Sequence, residues 1–500
     1  MNARVPQFAL NAAQALGQVS RQWDSDIVRQ LTDYISIPAK SPGFDSEWQA
    51  HGHIDTVLRN AANWVEAQKV AGLTLEIIRL PGRTPVLFFE LPASSGTGSA
   101  SGPAKTASTQ TVLMYGHLDK QPEFTGWRND LGPWAPKYED GKLYGRGGAD
   151  DGYAVYASIA AIQALQTQGV AHPRIAGLIE TCEESGSYDL LPYVDALRAP
   201  GNNRLGDVAL VICLDSGAGN YDQLWLTSSL RGIASGVLKV EILTEGVHSG
   251  DASGLVPSSF RIMRQVLDRL EDSATGRLLP ASFHCEVPPD RLTQARATAA
   301  ILGDEIHKRF PWAHYDCAGS TAFALPVTTD PVQALVNRTW MPALSVTGAE
   351  GFPSLQDAGN VLRPYSAFKL SLRLPPLVDA VAAMHELKAL LEDNAPYQAR
   401  VTFEGAGSAT GWNAPATAPW FERALHEASN AHFGAPCGFI GQGGTIPLMN
   451  MLSQGFPQAQ MMVCGVLGPR SNAHGPNEFL HVPYAKKLTA AVAHVIAQFP

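Results

Sequence analysis

The chain has 500 residues, and a single domain usually has about 50–250, so two domains are expected. Charged residues make up 17% and hydrophobic residues 45%, as in an ordinary globular protein. The formal net charge of −9 argues against a nucleic-acid-binding protein, which would present a basic surface. The apolar runs are shorter than the roughly 20 residues of a membrane span, and we find no signal peptide. We therefore expect a cytoplasmic protein with neither a nucleic-acid nor a membrane partner.

The first predicted elements are two strands that form a hairpin over residues 75–91. Residues 94–110 are rich in Gly, Ser, Ala and Thr and predict a flexible surface loop. A buried strand is predicted at 111–115, TVLMY. A helix is predicted over 150–169, because its apolar residues repeat at helical spacing, and we expect Asp151 to cap it.

Three later apolar runs also predict strands of the same domain. Residues 174–182, 208–215 and 459–466 are almost continuously apolar, which is typical of strands buried on both faces. Strands that alternate with helices predict a mainly parallel α/β sheet flanked by helices. In such sheets, functional sites form beyond the carboxyl ends of the strands.

The middle of the chain has a different pattern. Residues 232–244 and 361–374 alternate between apolar and polar side chains, and 399–405 is a further predicted strand. Helices are predicted over 257–272 and 378–393. Alternation indicates a sheet with one solvated face, so we predict an antiparallel sheet with helices on its other face.

These patterns predict that one domain is inserted into another. The α+β domain occupies about 232–408, and the α/β domain consists of 1–231 together with 409–500. The return of the chain to the first domain after residue 408 allows the late His474 to join the other candidate site residues.

Histidines and acidic residues follow the predicted strands of the first domain. They are His117, Asp119, Asp150, Glu183, Glu184, Asp215 and His474. This set can supply ligands for two divalent metals and leave one carboxylate for proton transfer. Two histidines with three carboxylates suit Zn²⁺, and Mn²⁺ or Co²⁺ would also fit.

Adjacent acidic residues leave some assignments open at this point. Glu183 and Glu184 end an apolar strand, and one of them can bind metal while the other acts as a base. Asp150 has two oxygens that could bridge metals about 3.5–4 Å apart, and either Asp150 or Asp151 could cap the following helix. A ligating histidine usually donates its other ring N–H to a carboxylate, and Asp119 could serve His117 in this way.

Several long motifs resemble the M20 family of di-zinc metallopeptidases, especially its carnosinase-type branch of cytosolic non-specific dipeptidases. The motifs are GHLDKQP, DGKLYGRGGADDG, EESGS, RGIASGVLKVEILTEGVHSGDASG, NVLRPYSAFKLSLRLPP, GGTIP and NAHGPNE. They occur in this order and leave out only about the first 20 residues and the 94–110 segment. The resemblance implies a catalytic domain with an inserted lid and dimerisation domain.

The resemblance also implies two zinc ions per subunit that share one ligand. The ligands of one ion would be His117, Asp150 and Asp215. The ligands of the other would be Asp150, Glu184 and His474. Glu183 would act as general base and acid, and Asp119 would orient His117. The peptide bond between Asp150 and Asp151 is often cis in this family.

Four residues of the lid region, or after it, resemble substrate-binding residues of the family. His248 corresponds to a histidine that reaches the partner subunit's active site and stabilises the oxyanion. Asn360 matches another lid residue that reaches across the dimer, so a homodimer is implied. Arg373 resembles the arginine that binds the free carboxylate of the substrate. Thr445 stands where this branch often has serine, and it keeps the hydroxyl group.

The resemblance implies a metallopeptidase that hydrolyses dipeptides or short peptides with a free C-terminal carboxylate. Two zinc ions would activate a water molecule, with Glu183 as the general base. An amidohydrolase that cleaves N-acyl amino acids is the main alternative, because Arg373 would serve both substrates. A non-catalytic metal-binding or peptide-binding relative is a further alternative, although Glu183 and every metal ligand are present.

Overall fold

The computed structural model describes residues 10–95, 109–317 and 320–500. Most of the predicted loop at 94–110 therefore lies outside the described residues. The chain forms two compact units. The first consists of Met1–Thr227, Ala414–Ile440 and Met451–Pro500, and the second of Ser228–Asn413 and Gly441–Asn450.

The first unit is built on a six-stranded sheet. Its strands, including those outside this sheet, are β1 (Thr74–Ile78), β2 (Val86–Leu91), β3 (Gln110–His117), β4 (Lys137–Glu139), β5 (Lys142–Tyr144), β6 (Arg174–Glu180), β7 (Asp207–Cys213), β19 (Gln460–Val463) and β20 (Phe479–His481). Two further strands, β8 (Trp225–Leu230) and β18 (Gly438–Gln442), contain residues of both units. The sheet has the order β1-β2-β6-β3-β7-β19, and β6, β3, β7 and β19 are parallel. The mainly parallel sheet and the β1–β2 hairpin predicted from the sequence are confirmed.

The helices of the first unit cover this sheet. They are α1 (Ala12–Gln22), α2 (Val28–Ile35), α3 (Trp48–His51), α4 (His53–Ala67), α5 (Tyr153–Thr167), α6 (Leu190–Leu197), α13 (Pro419–Phe433) and α15 (Val482–Ala497), while α14 (Pro447–Gly455) contains residues of both units. Helix α5 packs against β3 as well as α15, so nearly all of its residues are buried and it is apolar all round. None of the helices in the described part of the chain has the length and apolar character that crossing a membrane requires.

The start of α5 differs from the sequence prediction. Asp150 and Asp151 have non-helical backbone angles, with φ near −130° at both, so the helix begins only at Tyr153. The predicted cap by Asp151 is wrong, because its Oδ2 instead accepts a hydrogen bond from the backbone N–H of His117 at 3.3 Å. The Asp150–Asp151 peptide bond is cis, as the family resemblance implies.

The second unit contains a four-stranded antiparallel sheet of order β13-β15-β9-β16. Its strands are β9 (Gly232–Glu241), β10 (Val247–His248), β11 (His314–Cys317), β12 (Ser320–Phe323), β13 (Ala343–Glu350), β14 (Val361–Leu362), β15 (Tyr365–Leu374), β16 (Arg400–Ala409) and β17 (Trp412–Asn413). Its helices are α7 (Ser249–Ala252), α8 (Ser259–Leu267), α9 (Pro289–Leu302), α10 (Glu305–Lys308), α11 (Pro331–Trp340) and α12 (Ala380–Glu392). Buried residues alternate along β9, and α8 and α12 cover one face, so the predicted antiparallel sheet is confirmed.

Helices α13 and α15 of the first unit enclose a pair of histidines. The ring centroids of His432 and His494 lie 5.5 Å apart, with the ring planes nearly perpendicular. His432 is 5% exposed, and neither of its ring nitrogens has a hydrogen-bond partner. Burial, together with the nearby His494, lowers the pKa of His432 to about 4, and burial also lowers the pKa of His494. The folded protein therefore disfavours protonation of this pair.

We expect His432→Leu to make the metal-free protein less sensitive to acid. The unfolded chain protonates His432 near pH 6.5, whereas the folded chain resists protonation down to about pH 4, so wild-type stability falls across that interval. Over it, the free energy of unfolding should fall by about 3 kcal/mol more in the wild type than in the variant. Urea unfolding at several pH values, with chelator present, measures this difference. His426→Leu, a partly exposed site on the same helix, is the control, and parallel pH profiles for wild type and His432→Leu would contradict the expectation.

Candidate metal centre

His117 occupies the carboxyl end of β3, at the centre of the parallel sheet, and is fully buried. Its Nε2 lies 3.5 Å from Asp150 Oδ1 and 3.9 Å from Asp215 Oδ2, and has no hydrogen-bond partner among the residues described. Its Nδ1 faces Asp119 instead, 3.1 Å from the backbone oxygen and 3.5 Å from Oδ1. An orphaned buried nitrogen between two carboxylates is suited to binding a metal ion.

Asp150 stands between two histidines. Its Oδ1 faces His117, while its Oδ2 lies 2.9 Å from Nε2 of His474. The same His474 nitrogen is 3.4 Å from Glu184 Oε2, which accepts a hydrogen bond from Gln121 Nε2 at 2.6 Å. A carboxylate whose two oxygens address separate histidines has the arrangement that a ligand shared between two metals requires.

The candidate ligand atoms fall into two groups. Nitrogen and oxygen atoms lie within 4.8 Å of one another in His117, Glu183 and Asp215, and likewise in His117, Asp150 and Glu184. Glu183 can therefore reach the same ion as His117 and Asp215. Its role as a base rather than a ligand stays a prediction.

Three carboxyl groups of this cluster have raised pKa values, whereas the pKa of Asp150 is lowered, because its hydrogen bonds to the two histidines outweigh the effect of burial. Burial, with the neighbouring Asp150, raises the pKa of Glu184 to about 8. Burial is also the largest cause for Asp215, whose pKa rises to about 7, and for Glu183, whose pKa is well above its usual value. Each of these three groups resists a negative charge in this surrounding, so bound cations would be strongly stabilised.

The pKa values of the two histidines are raised by the carboxylates beside them. Burial opposes protonation of His117, but the carboxylates of Asp119, Asp150 and Asp215 outweigh it and raise its pKa well above the usual range. Burial likewise opposes the protonation of His474, and Glu184 and Asp150 raise its pKa. The carboxylates of the cluster therefore stabilise positive charge. A donor set of imidazole nitrogens and carboxylate oxygens fits Zn²⁺ and related divalent ions.

Asp119 joins two loops as well as facing His117. It is fully buried, and its two oxygens accept hydrogen bonds from the backbone N–H groups of Glu183 at 3.1 Å and Glu184 at 3.0 Å. The predicted orienting contact with His117 is present in the geometry, but the bonds to Glu183 and Glu184 had no sequence signal. One carboxylate therefore fixes the backbone of both glutamates while their side chains stay available.

A buried ion pair that the sequence reasoning missed connects two other loops of the cluster. Arg146 pairs with Glu478, and their side chains are 1% and 0% exposed. Arg146 also donates to the backbone oxygen of His474 at 3.0 Å, while Glu478 Oε1 accepts from the N–H of Gly147 at 2.9 Å. The pair thereby ties the turn before Asp150 to the loop that contains His474. The sequence signal that could have indicated this pair is the presence of an arginine in the motif GRGGAD and of a glutamate, with the opposite charge, in the motif NAHGPNE.

Lys120, also missed, holds the loop that follows His117. Its buried Nζ donates to the backbone oxygen of Tyr34, in the last turn of α2, at 2.7 Å and to that of Ile37, just after α2, at 2.8 Å. Its stem lies against Gly147, where a Cβ would come within 2.8 Å of Lys120 Cγ. Gly147 also has a φ of +83°, so this close approach and this backbone conformation both require glycine.

The four predicted substrate-binding residues lie in the second unit. His248 is exposed at the end of β10, and its neighbour Ser249 donates a backbone hydrogen bond to the backbone oxygen of Asn360 at 2.9 Å. Arg373 Nη1 donates to Thr445 Oγ1 at 2.9 Å. The second unit thus brings the four residues together in two pairs, whereas the seven predicted metal-centre residues all belong to the first unit.

A mainly parallel α/β sheet with histidines and carboxylates gathered beyond its strand ends is typical of metal-dependent hydrolases. The chain belongs to peptidase family M20/M25/M40, whose sequence model matches residues 113–498. It is therefore an M20-type metallopeptidase, and this membership implies binding of divalent metal. The resemblance inferred from the motifs is confirmed.

Individual relatives agree with the carnosinase-type branch. A cysteinylglycine-S-conjugate dipeptidase from Corynebacterium striatum is 28% identical over 447 residues, which cover 87% of this chain and 90% of that protein. The human Beta-Ala-His dipeptidase is 26% identical over 358 residues, or 69% of this chain and 66% of that protein. The structure of the dipeptidase Dug1p from Saccharomyces cerevisiae matches with a TM-score of 0.74 at 21% identity, covering 98% of both chains. The predicted catalytic-plus-lid fold class agrees with this structural similarity.

Proposed function

We propose that this protein hydrolyses the peptide bond of dipeptides, or of short peptides with a free C-terminal carboxylate. The observation that carries the proposal is the placement of Asp150 between His117 and His474 in a buried cluster of carboxylates. The dipeptidase names of the most similar relatives support the same class of substrate. A cytoplasmic location is also proposed, in keeping with the free thiols of Cys182, Cys213, Cys285, Cys437 and Cys464.

The proposed cofactor is a pair of zinc ions per subunit. One ion would be held by His117, Asp150 and Asp215. The other would be held by Asp150, Glu184 and His474. Two divalent ions, when bound, lower the pKa of a water molecule and polarise the scissile carbonyl group. The orphaned Nε2 of His117 and the mixed nitrogen and oxygen donors support this assignment.

Glu183 is proposed to move the proton. Its carboxylate would accept a proton from the attacking water and deliver it to the leaving amine. Asp119 binds the backbone N–H of Glu183, so that backbone is fixed without using the Glu183 carboxylate. A base held in this way keeps its position as its protonation changes.

Residues of the second unit are proposed to bind the substrate. Arg373 keeps its charge, offers several N–H donors, and would bind the C-terminal carboxylate together with the Thr445 hydroxyl group. His248 Nδ1 accepts a hydrogen bond from the N–H of Gly250, so its Nε2 carries the proton and can donate to an oxyanion. Following the family resemblance, His248 and Asn360 would act in the partner subunit of a homodimer.

We expect amino-acid release from unblocked dipeptides to depend on added metal. The enzyme would be stripped with chelator, shown to be inactive, and reconstituted with Zn²⁺ or Mn²⁺. Ala-Leu and its C-terminal amide form a matched pair, and only the free acid should be cleaved rapidly because Arg373 requires a carboxylate. Cleavage of N-acetyl amino acids alone would assign a deacylase instead. Two bound metals without cleavage of either class would contradict the proposed hydrolysis.

A further inference from the structure

Three arginines of the second unit form a cluster without an acidic partner. Arg231 immediately precedes β9, Arg338 lies in the last turn of α11, and Arg373 is on β15. Arg231 donates hydrogen bonds to backbone oxygens and Arg373 donates one to a threonine hydroxyl, and no carboxylate of the described residues pairs with any of the three. We call these three residues the arginine cluster.

The segment from Gly443 to Thr445 contacts every member of the cluster. Gly443 accepts a hydrogen bond from Arg231 Nε at 3.2 Å, while Thr445 accepts one from Arg373 Nη1 at 2.9 Å. A Cβ at Gly443 would lie 3.1 Å from Arg231 Nη2 and 3.4 Å from Arg338 Cγ. The cluster is therefore gathered around one short stretch of backbone.

Arg338 has the least compensated charge of the three. Its Nε and Nη2 are buried and have no hydrogen-bond partner among residues 10–95, 109–317 and 320–500. Burial, followed by the charges of Arg309 and Arg231, lowers the pKa of Arg338 to about 9. Burial and the charge of Arg373 lower the pKa of Arg231 to about 10. The guanidinium groups thus repel one another in a desolvated setting.

Helix geometry does not account for this arrangement. Arg338 lies near the C-terminus of α11, where the helix dipole stabilises a cation only modestly. The dipole does not offset the cost of leaving two buried guanidinium nitrogens of Arg338 without a hydrogen-bond partner among the described residues. The arrangement therefore lacks negative charge, and carboxylates are the groups that guanidinium forks bind best.

We infer that the arginine cluster selects dipeptides whose C-terminal residue is acidic, aspartate or glutamate. Arg373 and Thr445 bind the α-carboxylate, as in the proposed function on which this inference rests. Arg338, supported by Arg231, binds the side-chain carboxylate. The unpartnered nitrogens of Arg338 supply the second pair of donors, and Arg231 is held in place by the backbone oxygens of Gly443 and Met341.

The test compares isosteric substrates that differ only in side-chain charge. For the wild type, kcat/KM should be about tenfold or more higher for Ala-Glu than for Ala-Gln, and for Ala-Asp than for Ala-Asn. Arg338→Met should reduce these ratios to near one, chiefly by lowering kcat/KM for the two acidic substrates. Arg338→Lys, which retains the charge, should keep part of the preference.

Arg400→Met is the matched control, because it removes the same charge from an exposed position of the same unit. The Arg400 side chain is 77% exposed, so the preference for acidic substrates should persist in this variant. Circular dichroism would establish that each variant is folded. The wild-type ratios need no variant and stay decisive if Arg338→Met fails to fold.

The possible outcomes separate this inference from the proposed function. Equal cleavage of Ala-Glu and Ala-Gln by the wild type would overturn the inference and leave the dipeptidase proposal intact. If no dipeptide is cleaved, calorimetric titration with L-glutamate and L-glutamine tests the cluster by itself. Binding of glutamate that is lost in Arg338→Met would support the site, and equal or absent binding of both amino acids would overturn it.

Discussion

Replacing Glu183 with glutamine is expected to lower kcat about a thousandfold while both metal ions remain bound. A glutamine has nearly the same size but cannot accept the proton of the attacking water, and general-base catalysis contributes about 10²–10⁴ in rate. The backbone should not move, because Asp119 binds the N–H group of Glu183 rather than its side chain. Steady-state rates on a dipeptide, with metal content measured by atomic emission, give both quantities on the same preparation.

Glu184→Gln provides the contrast, since the neighbouring residue is proposed as a metal ligand. That variant should retain about one metal ion per subunit, because Glu184 Oε2 lies 3.4 Å from Nε2 of His474, which is proposed to bind the same ion. Loss of metal from Glu183→Gln itself would reassign Glu183 as a ligand with His117 and Asp215, a grouping that the positions of their atoms permit. Full activity of Glu183→Gln would remove this residue from the mechanism.

The part of the fold that the sequence predicted best is the part where burial has a regular pattern. The strands that lead to His117 and Asp215 are buried on both faces, so they read as continuous apolar runs. Strand β9 of the second unit alternates between buried and more exposed residues, and it was predicted from the matching alternation of apolar and polar side chains. In both cases the burial of the strand determines which of its side chains are apolar, so the apolar pattern of the sequence predicts the strand and its burial.

Elements with weak burial had no such pattern. Strand β13 lies at the edge of its sheet with most residues exposed or half-buried, and helix α9 buries only four of its side chains. Their sequences therefore lack a strong apolar period. Nor does composition indicate that residues 441–450 group with the second unit, although Thr445 contacts Arg373 there.

The candidate metal-centre residues could be named from the sequence because family motifs and strand ends point to them. The residues that hold them in place could not. Asp119 binds the backbone of Glu183, 64 residues later, and Arg146 pairs with Glu478 at a separation of 332. Such contacts depend on how distant loops meet, and neither hydrophobic period nor turn chemistry encodes them. The wrong cap at Asp151 has the same origin, because a tertiary bond to His117 replaced the local one.

Breaking the Arg146–Glu478 pair is expected to have the largest effect on stability. Either Arg146→Met or Glu478→Leu leaves an uncompensated buried charge, which costs about 3–5 kcal/mol in the free energy of unfolding. Urea unfolding of the metal-free protein measures this loss. Arg128→Met, at an exposed ion pair with Asp130, should leave the free energy nearly unchanged.

The double variant, Arg146→Met with Glu478→Leu, distinguishes the stability of the pair from its role in positioning. Stability should recover in part, because no buried charge is left alone. Metal affinity and activity should stay low, since the backbone oxygens of His474 and Gly475 lose the Arg146 donors that hold this loop. His474 has a φ of +64°, a conformation that a non-glycine residue keeps only when its surroundings hold it. Normal metal binding in the double variant would instead limit the pair to a structural role.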